Sequence, residues 1–515
     1  MCLWWTGCYQ TYPAPLPGRP PAAIAEGPWA SNVQVPQEGD LKIGVEDAIL
    51  LALDNNRQYR VQRIKPAIAR AAEGVQQAPF DPTLAATASA SRAKSIQTLS
   101  THGTENVDTI TTQGSASVTQ ILPTGTGVQL QVSGQRTDTV ADLGNNTLNQ
   151  VRVGLTVTQS LLQGGGSDVN LANLRQARID TVASEYELRG FAEDLVAGTE
   201  ETYWTYALAV RSIEIFQQSV DLARQQLSDA QERVRVGKLA ASELAAAQAE
   251  LAKRLEDLIN ARSDMEKTRI KLLQAVSPQT AGLLGRQIDL LDQPAMNAQE
   301  LGPVEDHIKL ALLMRPELNQ ARMQVKRGDL DVVKTKNGLL PKLDVFAQLG
   351  KSGFSSTFSD AVDRIDGRNY DILGGFNFQF PPENRLAISN YQGAVLSRQQ
   401  AVEAVANLEQ SVEVDVRSAF IEVARAHEQV AATRDTREYR EETLRAETEK
   451  FKVGKSTSFL VAQAQRDLVG SEIDEVTAVV AHLNALAELF RLEGSLLLRR
   501  GINAPGAKPE DVKLP

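Results

Sequence analysis

The sequence predicts a mixed α+β fold, mostly α. Strands suited to a membrane β-barrel are continued by helices suited to a long coiled-coil barrel, and the whole is built from two internal repeats. Three observations predict this. Short segments recur in one order at two fixed offsets, period-two alternation marks two blocks of strands, and two long proline-free stretches carry a narrow apolar stripe on a charged background.

Composition removes several alternatives. The chain has 515 residues, 42% of them hydrophobic, yet nothing in it approaches the roughly 20 consecutive apolar residues of a membrane-spanning helix. A bilayer would therefore be crossed with strands, which satisfy their backbone groups when closed into a barrel. A net charge of -10 disfavours nucleic acid or an anionic lipid surface as the main partner. The only cysteines, Cys2 and Cys8, lie at the very start, so neither a disulfide framework nor a cysteine metal cluster holds the body together.

The N-terminal leader spans residues 1–40. Leu3-Trp4-Trp5-Thr6-Gly7-Cys8 resembles the end of a bacterial lipoprotein signal, in which a cysteine after small residues is cleaved and acylated. The apolar core of such a signal is missing. Either the natural product begins upstream and Cys8 is its lipid anchor, or Cys8 is an ordinary terminal residue. From Tyr12 to Pro36 there are seven prolines and no periodicity, the signature of an extended segment.

Two halves follow. Val45-Glu46-Asp47-Ala48-Ile49 recurs as Val304-Glu305-Asp306-His307-Ile308, and at the same offset of 259 Pro82-x-Leu84 recurs as Pro341-x-Leu343. Val236-Gly237-Lys238 recurs as Val453-Gly454-Lys455, and at this offset of 217 Asn173, Ala177 and Leu251 fall on Asn390, Ala394 and Leu468. The first repeat occupies 41–300, with a helix, strands within 82–162, a long helix 168–236, a turn, a helix 242–276 and a linker. The second occupies 301–500, with a helix 304–338, strands within 341–380, a long helix 386–453, a turn and a helix 459–494, before a tail 501–515. The offsets differ by 42, the excess of the first repeat.

Alternation places strands near 84–91, 115–121, 128–133, 151–158, 343–349 and 376–380, bounded by Asp81-Pro82, Pro123-Thr124-Gly125, Gly164-Gly165-Gly166 and Pro381-Pro382. A soluble sandwich with one wet face would alternate likewise. The connections favour a barrel: the one at 123–127 is tight, while those near 100–108, 141–150 and 353–371 read as long and polar, the asymmetry of outer-membrane barrels. Symmetry between the halves favours four strands in the wall, with the hairpin at Pro123 as an extension.

In the second long helix Val402, Val405, Leu408, Val412, Val416 and Val423 step by threes and fours, a coiled-coil seam. Gly237 and Gly454 end the two long helices in positions suited to the left-handed C′ conformation. Ser242 and Ser458 stand where they would cap the returning helices. Val236, Lys238, Val453 and Lys455 are then exposed at helical hairpin turns.

Chemistry is sought in vain. Gly454-Lys455-Ser456 lacks the first glycine of a phosphate loop, since Glu449 stands there, and follows a helix instead of a strand. His427-Glu428 begins a zinc-protease motif, but Ala431 replaces its second histidine. The four histidines, His102, His307, His427 and His482, are scattered and read as solvated surface. Asn145-Asn146-Thr147 is a sequon by letters only. No catalytic, cofactor or metal residues are assigned, and the chain is not expected to be an enzyme.

The repeat layout, the paired Pro-x-Leu and Val-Gly motifs, and Thr158-Gln159-Ser160-Leu161-Leu162 at a strand-to-helix passage resemble the TolC family of outer-membrane efflux proteins over residues 40–500. The resemblance implies a homotrimer whose barrel sits in the outer membrane and whose helical tunnel crosses the periplasm. Such a trimer meets a periplasmic adaptor (membrane fusion) protein and an inner-membrane transporter, and passively exports small molecules or polypeptides. Val236, Gly237, Lys238, Val453, Gly454 and Lys455 would form the adaptor-docking tips, and Cys8 matches the acylated members. Two features depart from the family. Six alternating segments stand where it has four strands per protomer, and Leu460 and Gln463 occupy positions that are acidic in some members, leaving Glu243 as the acidic candidate at a tip constriction. The competing reading is a structural or adhesive coiled-coil envelope protein without a pore, which leaves the alternating strands unexplained.

Overall fold

The computed structural model describes residues 41–99, 103–141, 144–237, 240–276, 285–296 and 301–503. Cys8 and Lys238 lie outside them, as do the leader 1–40 and residues 504–515 of the tail. In chain order the elements are β1 (Leu41–Ile43), α1 (Val45–Asn55), α2 (Arg57–Gln77), β2 (Thr83–Leu99), β3 (Gly103–Ile121), β4 (Thr126–Ala141), β5 (Gly144–Ser160), α3 (Ser167–Asn170), α4 (Ala172–Arg235) and α5 (Ala241–Val276). They continue with β6 (Ile288–Leu290), α6 (Val304–Met314), α7 (Pro316–Asn337), β7 (Lys342–Ser355), α8 (Phe358–Asp363), β8 (Tyr370–Gln379), α9 (Arg385–Lys452), α10 (Ser458–Glu493) and α11 (Leu496–Arg499).

Two compact units result, Met1–Ala67 with Ser184–Gln320 and Ala406–Pro515, and Ile68–Ala183 with Ala321–Val405. The first holds the main apolar core. The stripe of α9 supplies Val412, Val416 and Val423, all fully or almost fully buried, against Leu272, Leu273 and Val276 of α5 and Leu489 of α10. A parallel pair, β1 with β6, runs through this core, with Leu41 opposite Ile288 and Ile43 opposite Leu290. The Tyr203 hydroxyl of α4 donates to the Ile43 carbonyl at 3.2 Å, and that of Tyr206 to the Ile288 carbonyl at 3.1 Å. Three-residue strands escape a search for alternation, and these were not expected.

The helices expected at 45–78 and 304–338 are each broken. Asn56 adopts an extended ψ of 118° and its side chain accepts the Tyr59 amide at 3.0 Å, so α2 begins afresh. Arg315, with ψ 121°, is forced out of the helical region because Pro316 follows it.

Charges lie deep in this unit. Arg500 grips Glu200 through two bonds of 2.7 Å, and Glu193, only 2% exposed, accepts the Leu497 amide at 3.2 Å. Burial pushes the Glu193 carboxyl up to about 8, and the neighbouring Arg189 guanidinium offsets this only in part. Glu193 is therefore neutral in the fold at pH 7, whereas the unfolded chain ionises it above about 4.5. The folded value is the higher one, so this group's stabilisation is full below about 4.5 and is lost as pH rises to about 8. Glu193→Gln should abolish that loss, at most about 5 kcal/mol. Hydrogen exchange of α11 amides at pH 5 and pH 8 checks it: an equal pH response in wild type and variant contradicts the assignment.

The second unit is built on one antiparallel sheet of six strands in the order β2-β3-β4-β5-β7-β8. Four come from the first half of the sequence and two from the second, so the expectation of a symmetric four-stranded wall is corrected. The Pro123 hairpin is no extension, because β3 and β4 stand between β2 and β5 with paired residues along their length. The strands also outrun the predicted segments. Those near 100–108 and 141–150, expected as long loops, are largely strand, and within 353–371 the connection contains α8.

Candidate channel wall and docking turns

Each strand exposes two unlike faces because successive side chains alternate. Register makes this exact across the sheet: Leu84, Val118, Leu130, Leu155, Leu349 and Ile372 lie side by side, one from every strand. One residue away, on the opposite face, Thr83, Thr119, Gln129, Thr156 and Gln348 form the matching polar row. Ile372 is 70% exposed and Phe376 73%, so the apolar face has no cover at β8 among the described residues.

The apolar band covers much of the height of a membrane barrel's lipid-facing band. On β5 it runs from Val151 to Val157, about 20 Å at 3.3 Å per residue, against roughly 25 Å for the lipid-facing band of a membrane barrel. Beyond it the same face becomes charged, with Arg92 paired to Asp108 and Arg136 to Asp138. The other face is mostly Ser, Thr and Gln, interrupted by Phe346 and Leu373, and carries the ion pair Arg152–Asp371.

Both ends of the sheet are held by glycine. At the β3–β4 turn Gly125 has φ 86°, and an added Cβ would lie 2.3 Å from the Gly164 carbonyl oxygen. The Gly166 amide donates to the Thr124 carbonyl at 3.1 Å, which ties this turn to the segment where β5 passes to α3. At the other end α8 lies on the apolar face. Its Ala361 carbonyl sits where a Cβ on Gly353 would come within 2.0 Å, and Phe358 packs on Gly134.

The helical turns form as expected at their glycines. Gly237 has φ 71° and Gly454 φ 76°. The Gly454 amide donates to Phe451 at 3.1 Å and that of Lys455 to Lys450 at 2.8 Å, the paired bonds of a Schellman end. Val236 and Val453 are 51% and 69% exposed, and Lys455 is exposed. The serine caps are corrected. Thr457, one residue earlier, accepts the Leu460 amide at 3.3 Å and caps α10, while Ser242 lies inside α5, whose first turn starts from Ala240. Ser458 instead donates to the Glu243 carboxylate, joining α10 to α5. Glu243 is thus engaged between two helices, whereas Leu460 and Gln463 face solvent one turn apart.

Behind the turns a cavity of about 520 Å³ separates α4 and α5 from α9 and α10. Its rim holds Arg233 over the Phe451 ring at 5.2 Å and Arg466 bound to Glu250 at 2.7 Å. Sequence reasoning missed this group, since each member alone reads as a solvated helical charge. The histidine reading is corrected too: His307 is wholly buried against Glu493, and His482 is 4% exposed with its ring 5.5 Å from that of His427. Burial lowers the proton affinity of His482, and the nearby His427 adds to this. His102 lies outside the described residues.

The fold has solved counterparts. The Campylobacter jejuni CmeC outer membrane channel matches with TM-score 0.63 at 17% identity, covering 88% of this chain and 86% of that one. The outer membrane protein VceC of Vibrio cholerae matches with TM-score 0.63 at 14% identity, covering 87% and 96%. The open state of the Neisseria gonorrhoeae MtrE outer membrane channel matches with TM-score 0.61 at 17% identity, covering 88% and 89%. No curated protein sequence matches the chain. The sequence profile described as "Outer membrane efflux protein" matches residues 48–277 and 307–495, most of the chain. The chain therefore belongs to the outer membrane efflux protein family, whose members are channels of the outer membrane and not enzymes.

Proposed function

We propose that three copies of this chain form a passive outer-membrane duct of a tripartite efflux or secretion system. The observation that carries the reading is the sheet: an apolar band on one face, a face rich in Ser, Thr and Gln behind it, and two edges unpaired among the described residues. A single chain cannot hide those edges in lipid, where unpaired backbone groups cost several kcal/mol each. Self-association also covers apolar stripes such as Val61, Ile64, Ile68 and Val75 on α2, which lie bare in the single chain. The chain's own part in transport is to keep a wet path open, with selection of cargo left to the transporter. The turns at Gly237 and Gly454 are assigned to the periplasmic adaptor, on their exposure and their lack of packing duties.

The test is fractionation followed by planar-bilayer recording. Outer-membrane recovery and ion conductance from the purified trimer are expected. A water-soluble monomer without conductance would overturn the reading in favour of a structural envelope protein.

Cys8 is assigned as the lipid anchor, and intact mass of membrane-extracted protein should show an acylated N-terminus at that residue. A mature terminus far downstream, or no lipid mass, sinks the assignment. Cys8→Ser should reduce outer-membrane sorting several-fold and leave the trimer intact, because the barrel supplies most of the membrane affinity.

A further inference from the structure

The sheet ends in two strands, β2 and β8, that have a partner on one side only. Exposed edges are usually blunted by charge, proline, a bulge or short length. In β2, seventeen residues long, the half from Thr83 to Ala90 has no charge and no proline, and its side chains are exposed. Such an edge awaits a strand.

The other edge fits it. Five successive antiparallel pairings separate β2 from β8, so the two strands run in opposite directions, and β8 of one copy meets β2 of the next as an antiparallel pair. Their apolar faces are complementary in volume. On β8 this face carries Tyr370, Ile372, Phe376 and Phe378, all more than half exposed. On β2 it carries Ala86, Ala88 and Ala90. Large side chains on one edge opposite methyl groups on the other make compatible cross-strand neighbours, and aromatic groups reach the diagonal positions as well. Matching the apolar faces limits the register to even steps, and the step that sets Ala86 beside Gly374 and Ala88 beside Ile372 lays the uncharged half of β2 along the large side chains of β8.

We propose that β8 of each copy pairs with β2 of the next, so that three copies close one eighteen-stranded barrel. This rests on the trimer of the preceding reading. All six strands belong to the wall, since the apolar row from Leu84 to Ile372 crosses them without interruption. Barrel diameter grows roughly in proportion to strand number, so the bore is about 1.5 times as wide as four strands per copy would give, and its cross-section about twice as large. Eighteen strands fall in the range that leaves an aqueous channel. The bore thus suits bulky hydrated cargo, including extended polypeptide.

Disulfide cross-linking of the full chain in outer membranes tests this. The pairs Ala86→Cys with Gly374→Cys, and Ala88→Cys with Ile372→Cys, should convert most of the protein to covalent trimer on a denaturing gel after oxidation. Leu130→Cys on β4 with Gly374→Cys should give none. Trimer formed through β4 and not β2 means twelve strands and overturns the proposal while sparing the trimer. A covalent ladder through β2 that stops at two or reaches four copies overturns both the strand number and the trimer. Electron-microscopic reconstruction of the unmodified protein counts the strands without any substitution, and a count other than eighteen is decisive against the proposal.

Discussion

Export should fall to background when Gly454 is replaced by glutamate, and equally for Gly237→Glu, while trimer assembly and membrane insertion persist. No heavy atom lies within 4 Å of a Cβ built on either glycine, so the substitution meets no packing obstacle. The folding penalty is confined to the left-handed backbone, φ 71° at Gly237 and 76° at Gly454, about 1–2 kcal/mol per residue. Against the proposed trimer, closed by many strands, this is small. The added carboxylate, in contrast, sits between exposed Val453 and Lys455 and alters both the shape and the charge of the proposed docking turn. Gly454→Asn separates the two effects, because asparagine tolerates the left-handed region without bringing charge, and it should keep most export. Export assays run beside a trimer gel decide the matter. Wild-type export from both glutamate variants, or loss of the trimer, would show that these turns serve folding alone.

Glu493→Leu should open the core where α6 meets α10 by about 3–5 kcal/mol, the effect of removing one member of a buried charged group. Glu493 is wholly buried, contacts His307 Nδ1, accepts Ser495 Oγ at 2.8 Å and faces Arg499 at 3.4 Å. Leucine leaves the Arg499 guanidinium, 10% exposed and stacked 4.0 Å over the Phe490 ring, without its carboxylate. Hydrogen exchange resolves this locally, and α6 and the end of α10 should exchange about 10²–10⁴ times faster. The variant carrying both His307→Leu and Glu493→Leu should lose less than the two single changes together, since the partners act as a unit. Strict additivity, or unchanged protection in Glu493→Leu, would place the stability of this junction elsewhere.

Much of the wall was legible beforehand. Leu84, Ala86, Ala88 and Ala90, or Val151 to Val157, alternate with polar residues, as the proposed contact of one face with lipid and the other with water requires, and that contrast is written in residue types. The pattern fades where the strands leave the apolar band. Around Thr109, Thr139 and Asn145 charged residues such as Asp108 and Asp138 interrupt the apolar face, so the residues read as loops although the backbone ladder continues through them. Hydrogen bonding between strands is indifferent to side-chain polarity, and alternation reports two unlike surroundings rather than a strand.

Sequence by itself determined the family, the strand-bearing segments, the long helices with their apolar stripe, and the glycine turns at Gly237 and Gly454. Each of these depends on local periodicity or on a backbone conformation open to few residues. Only the tertiary structure decided that all six strands share one sheet, that Thr457 and not Ser458 caps α10, and that Glu193, Glu493 and His307 are buried. The partners of these groups lie far along the chain: 186 residues separate His307 from Glu493, and 304 separate Leu497 from Glu193. A charge in sequence looks solvated by default. Whether it is buried depends on which distant group the fold sets against it, and no local pattern records that.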